Sequence, residues 1–417
     1  MQPRIEQSRK AAYKGNRFDH TLATVSTSSG CNHLAADVLD NTPARVLHLV
    51  SSGGLYGAEQ VILNLARSER LISYVGALYN VHRPNLDVIE EAEKRGLNTA
   101  VFHSRGRIDV TTVFRIIRFL RQHQIDILHT HGYKSDIVGF LAALFGRTKW
   151  VATNHVWHSL SRTLRLYESV DAFVLRFATR VVAVSREIRE DLISREIRSA
   201  YIRVIHNGID IDRFRRSRST KTLRATLGIH DDDVVVTIIG RLSPEKGHRT
   251  FLQAAKEVSS NRNHVKFLIV GDGPIGEELR SEVARLHLEG RVIFTGFRND
   301  MPDVYGLSDI MVNASTIEGL PMTILEAMAS NVAVIATPAG GTPDVIRDDE
   351  TGLLFDAHDV NALKIKIESL IDDPSRRRRL AAAAYEFVAT NHSLERMCDA
   401  YGQVYSEILS DRACPSS

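Results

Sequence analysis

Short, unbroken apolar runs alternate with amphipathic stretches from residue 45 almost to the end of the chain. In the first half the runs are Arg45-Val-Leu-His-Leu-Val50, Tyr74 to Tyr79, Thr99 to Phe102, Ile127 to His129, Trp150 to Asn154, Arg180 to Val184 and Tyr201 to Ile205. Helical periodicity fills most of the gaps, from Ala58 to Ala66 and over 85–95, 109–123, 134–145, 160–178 and 186–195. An apolar run of four to eight residues without alternation predicts a strand buried on both faces, and strands alternating with helices predict a parallel sheet covered on both sides. The pattern restarts after Asp212-Arg-Phe214, past an Arg/Ser-rich stretch and a short helix near 221–227. Strands are expected at Val234 to Ile239, Lys266 to Val270, Val292 to Thr295, Ile310 to Asn313 and Val332 to Ala336. Helices are expected at 248–260, 276–287, 301–306, 321–330, 360–371 and 376–409. The expected fold is α/β, with two Rossmann-like, doubly wound domains facing across a cleft. They occupy residues 44–213 and 214–375, with a loose extension over 1–43, a helical segment over 376–410 that crosses back to the first domain, and a tail over 411–417.

Composition narrows the class. At 417 residues the chain exceeds one compact core and suits two domains of roughly 200 residues. Apolar and charged contents of 43% and 25% are those of a globular protein, and a net charge of +3 suits a phosphate-bearing ligand or an anionic surface better than nucleic acid. Arg4, Arg9, Lys10, Lys14 and Arg17 precede polar sequence rather than the apolar core of a signal peptide, and no apolar run reaches 18 residues. Cys31, Cys398 and Cys414 are too scattered for a disulfide framework or metal cluster, so a reducing, cytoplasmic setting is expected.

In such sheets ligands bind beyond the carboxyl ends of the strands, so the loops there carry the candidate chemistry. Ser51-Ser-Gly-Gly54 and Gly57 follow the first strand and permit close approach of a phosphate, but they do not make Gly-x-Gly-x-x-Gly, which weakens a nicotinamide-dependent reading. Arg241 and Lys246, in Gly240-Arg-Leu-Ser-Pro-Glu-Lys-Gly247, can converge on one anion. That loop lacks the Gly-Lys-Ser/Thr of a P-loop, which disfavours ATP hydrolysis. Backbone groups and an aromatic edge at Thr295-Gly-Phe297 and the short helix around Met301 to Tyr305 could hold a planar base. Ser315-Thr-Ile-Glu-Gly-Leu-Pro-Met-Thr-Ile-Leu-Glu326 sets Glu318 in a turn, Pro321 at the first helical position and Glu326 inside the helix. Carboxylates beside amides that suit phosphate are placed to hold hydroxyls, as on a sugar or ribose. His129, His131, His155 and His158 gather near two strand ends without the glutamate of a His-Glu-x-x-His metal site. A neutral His155 suits donation to a sugar hydroxyl.

With these residues assembled, the chain resembles the retaining glycosyltransferases of family 4, two-domain GT-B enzymes that use a nucleotide-sugar and no metal ion. The likeness runs from about 45 to about 390 and is most specific in the Glu-x7-Glu spacing of Glu318 and Glu326, before Glu-Ala-Met-Ala329. Gly-Arg-Leu-Ser-Pro-Glu-Lys-Gly247, Gly-Asp-Gly-Pro274, His-Asn-Gly-Ile-Asp210 and Val-Ala-Val-Ser185 support it. The resemblance implies that Arg241 and Lys246 bind the donor diphosphate, that Glu318 addresses the sugar hydroxyls, and that Glu326 holds the ribose. It further implies that amides around Gly319, Leu320 and Pro321 line the sugar-phosphate path, that Gly54 and Gly57 close over the donor, and that His155 lies near the transferred sugar. Gly273 and Phe297 complete the expected donor contacts, with UDP- or GDP-sugar as donor, no cofactor and no metal. Where many relatives carry Gly-Pro, this chain has Ser330-Asn-Val-Ala333, and Asn331 can take over as a left-handed helix cap. The glycine-rich start, Gly-Gly-Leu-Tyr-Gly57, is also longer.

Acceptor choice is expected around His131-Gly-Tyr-Lys-Ser-Asp136 and Trp157 to Tyr167. In the latter, Leu160, Leu164 and Tyr167 with Arg162 and Arg165 suit a helix lying on anionic lipid, hence a glycan or lipid-linked acceptor. Two alternatives stay open. One is a sugar-phosphate synthase or phosphorylase on the same fold, for which Lys134, Arg105 and Arg107 supply the basic residues. The other is a silent nucleotide-sugar-binding protein.

Overall fold

The computed structural model describes residues 43–51, 54–55, 57–80, 85–104, 109–155, 162–215 and 220–410. The extension before residue 43, the tail 411–417, Cys31, Cys414, Arg105, Arg107, His158 and the start of the Trp157 to Tyr167 stretch lie outside them. Seven parallel strands form the first sheet: β1 (Ala44–Val50), β2 (Leu71–Asn80), β3 (Asn98–Ser104), β4 (Ile127–His131), β5 (Lys149–Asn154), β6 (Arg180–Ala183) and β7 (Ile202–Val204). Their order is β3-β2-β1-β4-β5-β6-β7. A second sheet holds β8 (Val234–Ile239), β9 (Val265–Val270), β10 (Val292–Gly296), β11 (Ile310–Asn313), β12 (Ala333–Ala336) and β13 (Leu353–Leu354), ordered β10-β9-β8-β11-β12-β13. Each order reverses between its first and fourth strands, which opens a crevice at the carboxyl ends of β1/β4 and of β8/β11.

The central strands are apolar because helices cover both faces. Val46, Leu47 and Leu49 of β1, and Val235 and Val236 of β8, are fully buried. Ser185 ends the β6 run and caps the helix Arg186–Ser194, its hydroxyl accepting from the Ile188 amide at 3.3 Å.

Of three local expectations, two change and that for Asn331 holds. Pro321 is the N-cap of the helix Met322–Ala329, with an extended ψ of 114°, rather than its first helical residue. Asn331 has φ 57°, the left-handed cap that its position after that helix calls for. The C-terminal stretch is two helices, Pro374–Asn391 and Leu394–Ser410. They break at His392 and Ser393 because Ile209 takes the backbone there: its amide donates to the His392 carbonyl at 2.9 Å, and its carbonyl accepts from the Leu394 amide at 2.9 Å.

The last helix packs on the first sheet. Tyr401 and Tyr405 are each about 1% exposed, and the Tyr405 hydroxyl lies 2.6 Å from His129 Nδ1. Tyr405→Phe is therefore expected to cost about 1–3 kcal/mol, the penalty of leaving one buried polar atom unpaired. Denaturant unfolding measures it.

Candidate active site

A cavity of about 400 Å³ lies between the two sheets, on the carboxyl ends of their strands. That volume falls in the range of small-molecule sites. Gly57, Ala58, His155, Val184 and Asn207 line it from the first half of the chain. From the second half come Arg241, Lys246, Phe297, Glu318, Gly319, Leu320 and Pro321.

Each charged group is aimed by the strand it follows. Beyond β8 the chain makes a single turn, Pro244–Lys246, that carries Lys246 back over the strand end. Its Nζ lies 2.7 Å from Glu318 Oε1, and Asn313 Nδ2, at the end of β11, donates to the same oxygen at 3.4 Å. The Thr316 amide donates to the Glu245 carbonyl at 2.8 Å, which ties the two loops together. Arg241 is exposed on the same wall. Two cations and one carboxylate thus meet at the switch point of the second sheet. They can hold an anion and, beside it, a hydroxyl.

Of the donor-site candidates, Gly54, Gly273 and Glu326 do not line the cavity. Gly273 supports the lining instead: a Cβ there would overlap the Leu242 carbonyl oxygen, and the Leu242 amide donates to the Asp272 carbonyl at 3.0 Å. The Gly-Asp-Gly-Pro turn thereby shapes the Arg241 loop. Glu326 sits one helical turn behind Thr323, which is on the wall, and its Oε2 accepts from the Tyr305 hydroxyl at 2.8 Å. Burial pushes the Glu326 carboxyl up to about 7, against the opposing pull of the Tyr305 hydroxyl and Arg213.

That shift sets a stability trend. The unfolded carboxyl ionises near 4.5, so between that pH and about 7 the folded chain binds more protons than the unfolded one. Stability from this group is full below 4.5 and lost as pH rises through 7, at no more than about 1.4 kcal/mol per pH unit. Glu326→Gln is expected to flatten that part of the melting-temperature profile between pH 5 and 8.

The sequence reading missed the roles of three residues. Asn207, within the His-Asn-Gly stretch, donates from Nδ2 to the Leu320 carbonyl at 3.0 Å and pins the Gly319–Leu320 turn. Tyr305 is the partner of Glu326. His48, in β1, joins the buried His131 and the half-buried His155 in a row. His129 and His131 both belong to β4.

The surface helix also differs from expectation. In Arg162–Leu175, Tyr167 turns inward against Tyr133, with ring centroids 5.7 Å apart. The exposed apolar row is Leu166, Val170 and Phe173, continued by Phe177 beyond the helix.

Two doubly wound sheets that face one cavity, with Arg241, Lys246 and Glu318 converging on it, define the GT-B class of glycosyltransferases. Two family models match in series: Glycosyltransferase Family 4 over residues 57–213 and Glycosyl transferases group 1 over residues 219–387. A D-inositol 3-phosphate glycosyltransferase of Rhodococcus opacus (strain B4) is 31% identical over 304 residues, 67% of each chain. The UDP-Gal:alpha-D-GlcNAc-diphosphoundecaprenol alpha-1,3-galactosyltransferase of Escherichia coli is 28% identical over 277 residues, 64% of this chain and 71% of that one. The solved structure of Anabaena HepE in complex with UDP superposes with a TM-score of 0.78 at 25% identity, over 87% of this chain and 100% of that one. The chain belongs to this family of GT-B glycosyltransferases.

Proposed function

We propose that the protein is a retaining glycosyltransferase that moves a sugar from a UDP- or GDP-sugar to a hydroxyl acceptor without using a metal ion. The observation that carries this reading is the convergence of Arg241, Lys246 and Glu318 on one interdomain cavity. Among the relatives, HepE was solved with UDP and with UDP-glucose, and the E. coli enzyme is named for UDP-Gal, which favours UDP. In this reading residues 214–375 hold the donor, 44–213 the acceptor, and 376–410 brace the two.

The chemistry follows from charge. Breaking the bond between sugar C1 and the diphosphate oxygen leaves positive charge on the sugar and negative charge on the diphosphate. Arg241 and Lys246 offset the latter, and fixed charges count most once the bound donor displaces water from the site. The acceptor oxygen bonds to C1 on the face the phosphate leaves, and its proton passes to the departing phosphate oxygen. Glu318 holds hydroxyls of the sugar, so it is not a glycosidase-type nucleophile. Glu326 reaches the ribose from behind Thr323. Because an ionised carboxylate accepts both ribose hydroxyls, affinity for a UDP-sugar should rise between pH 6 and 8 in the native protein and not in Glu326→Gln.

For the acceptor, the row Leu166, Val170, Phe173 and Phe177, 67%, 38%, 56% and 58% exposed, is set for an anionic bilayer surface beside Arg165 and Arg176. No helix of the described residues is long and apolar enough to cross a membrane. Co-sedimentation with anionic vesicles at low salt is expected, and Phe173→Ser with Phe177→Ser should weaken it. Absence of binding by the native protein removes the lipid-surface reading.

The donor reading is tested by thermal shift with UDP-, GDP- and ADP-sugars, followed by transfer assays in EDTA with the stabilising donor. Stabilisation by a UDP- or GDP-sugar and an α-linked product from an α-linked donor are expected. An inverted product removes the retaining mechanism, loss of activity in EDTA removes metal independence, and no stabilisation by any of the three sinks the donor class.

A further inference from the structure

Three buried imidazoles, His48, His129 and His131, sit behind the half-buried His155 at the cavity wall. Parallel pairing puts His48 beside His129 and Val50 beside His131, and the two-residue period of strands turns His48, His129 and His131 to one face. His155 follows β5 and lines the cavity. His48 Nδ1 lies 3.4 Å from His131 Nε2, and His131 Nδ1 lies 3.4 Å from His155 Nε2. His129 is tied elsewhere, by Nδ1 to the Tyr405 hydroxyl at 2.6 Å and by Nε2 to the Thr153 hydroxyl at 2.7 Å. Its ring packs on His131 with centroids 4.1 Å apart.

Three ligand nitrogens of His48, His129 and His131 lie within 4.8 Å of one another, so a metal ion is the first reading to weigh. The pairing weighs against it. Both nitrogens of His129 are taken by hydroxyls, and both of His131 face other rings. Of the six nitrogens of these three rings, only His48 Nε2 lacks a partner among the described residues. One spare nitrogen does not make a coordination shell.

Hydrogen bonding explains the row instead. Burial drives all four rings to the neutral form, His48 down to about 3, His155 to about 4, and His129 and His131 well below the ordinary value. A neutral imidazole carries one N–H and one lone pair, so the donor chosen at one link of His48–His131–His155 decides the other link. If His155 donated from Nε2, His131 would have to donate from Nε2 in turn. His48 would then carry its proton on Nε2, buried with nothing to accept it. In the opposite order His48 donates from Nδ1, His131 donates from Nδ1, and the buried end of the row is a bare lone pair. Orphaned buried N–H groups are rarer than under-satisfied acceptors, which selects the second order.

We propose that His48 and His131 are positioning residues that hold His155 as its Nδ1–H tautomer, so that the ring offers the transferred sugar a hydrogen-bond donor and has no lone pair free to act as a base. The identity of the ligand rests on the function proposed above; the tautomer does not. In protein labelled with ¹⁵N-histidine, with His155 assigned by its loss in His155→Gln, the spectrum at neutral pH should show a protonated Nδ1 and a bare Nε2. His48→Met leaves a neutral side chain that accepts but cannot donate, and it should reverse the row and move the His155 proton to Nε2. Its affinity for UDP-glucose should fall about 10-fold, the worth of one hydrogen bond, with affinity for UDP unchanged. His48→Asn, which can donate from the place of Nδ1, should restore both properties.

A protonated Nε2 on His155 in the native protein overturns the proposal, and that spectrum decides the matter even where a variant does not fold. An unmoved proton in folded His48→Met overturns the role of His48. Unchanged UDP-glucose affinity in a variant whose proton has moved overturns the sugar contact. A protein that binds neither UDP nor UDP-glucose fails the donor class alone.

Discussion

Lys246→Ala is expected to lower kcat at saturating donor by at least about 100-fold, equivalent to about 2.7 kcal/mol in the transition state. The side chain is 26% exposed, and its Nζ is 2.7 Å from a carboxylate that is itself only 10% exposed, so the charge is aimed into the site rather than into solvent. Negative charge on the departing diphosphate is largest after the sugar bond has stretched. A fixed cation that meets it there lowers the barrier more than it tightens ground-state binding. The loss should therefore appear in kcat more than in KM. Lys246→Arg keeps the charge but spreads it over a planar fork, and partial recovery is expected. Near-normal kcat in Lys246→Ala at saturating donor would sink the assigned role.

Gly319→Ala should be comparably damaging for a different reason. A Cβ on Gly319 would overlap the carbonyl oxygen of His155, which belongs to the first half of the chain. On its other side the Gly319 carbonyl accepts from the Gly341 amide at 2.6 Å, so the turn has no slack. Relief requires the His155 segment and the Glu318 turn to separate, and a displacement near 1 Å costs about 100-fold when reacting groups are held for attack. We expect kcat/KM to fall by at least that factor while the protein still unfolds cooperatively. Gly402→Ala is the control. It lies within the helix Leu394–Ser410, a Cβ there meets nothing within 4 Å, and the change should stabilise by about 0.5–1 kcal/mol without affecting turnover. Activity within twofold of native in Gly319→Ala would show that the two halves need not meet there.

Much of this site is legible in the linear sequence because each contributor follows a buried apolar strand. The run Val234 to Ile239 announces the Arg241–Lys246 loop, and Ile310 to Asn313 announces Glu318. What escapes the sequence depends on register and on side-chain direction. His48 reads as one polar residue in an apolar strand until β1 pairs with β4 and sets it beside His129. On the surface helix Tyr167 packs against Tyr133 while Leu166, Val170 and Phe173 are exposed, because periodicity gives the angle between positions but not which face the neighbouring helix covers; Leu160 and the Leu164 side chain lie outside the described residues. Glu326 and Tyr305 are 21 residues apart, and no local pattern brings them together.

The helix break at His392 and Ser393 returns the chain to the sheet it began with, and this has a consequence for synthesis. Tyr401 and Tyr405 fill the core beneath β4 and β5, so the first sheet emerges from the ribosome with an open gap and stays unfinished until those two residues are made. The second sheet, complete by Leu353–Leu354, can close earlier. Order of synthesis and order of completion are thus inverted, and a chain stopped before Tyr401 would present an exposed apolar surface to whatever binds nascent protein.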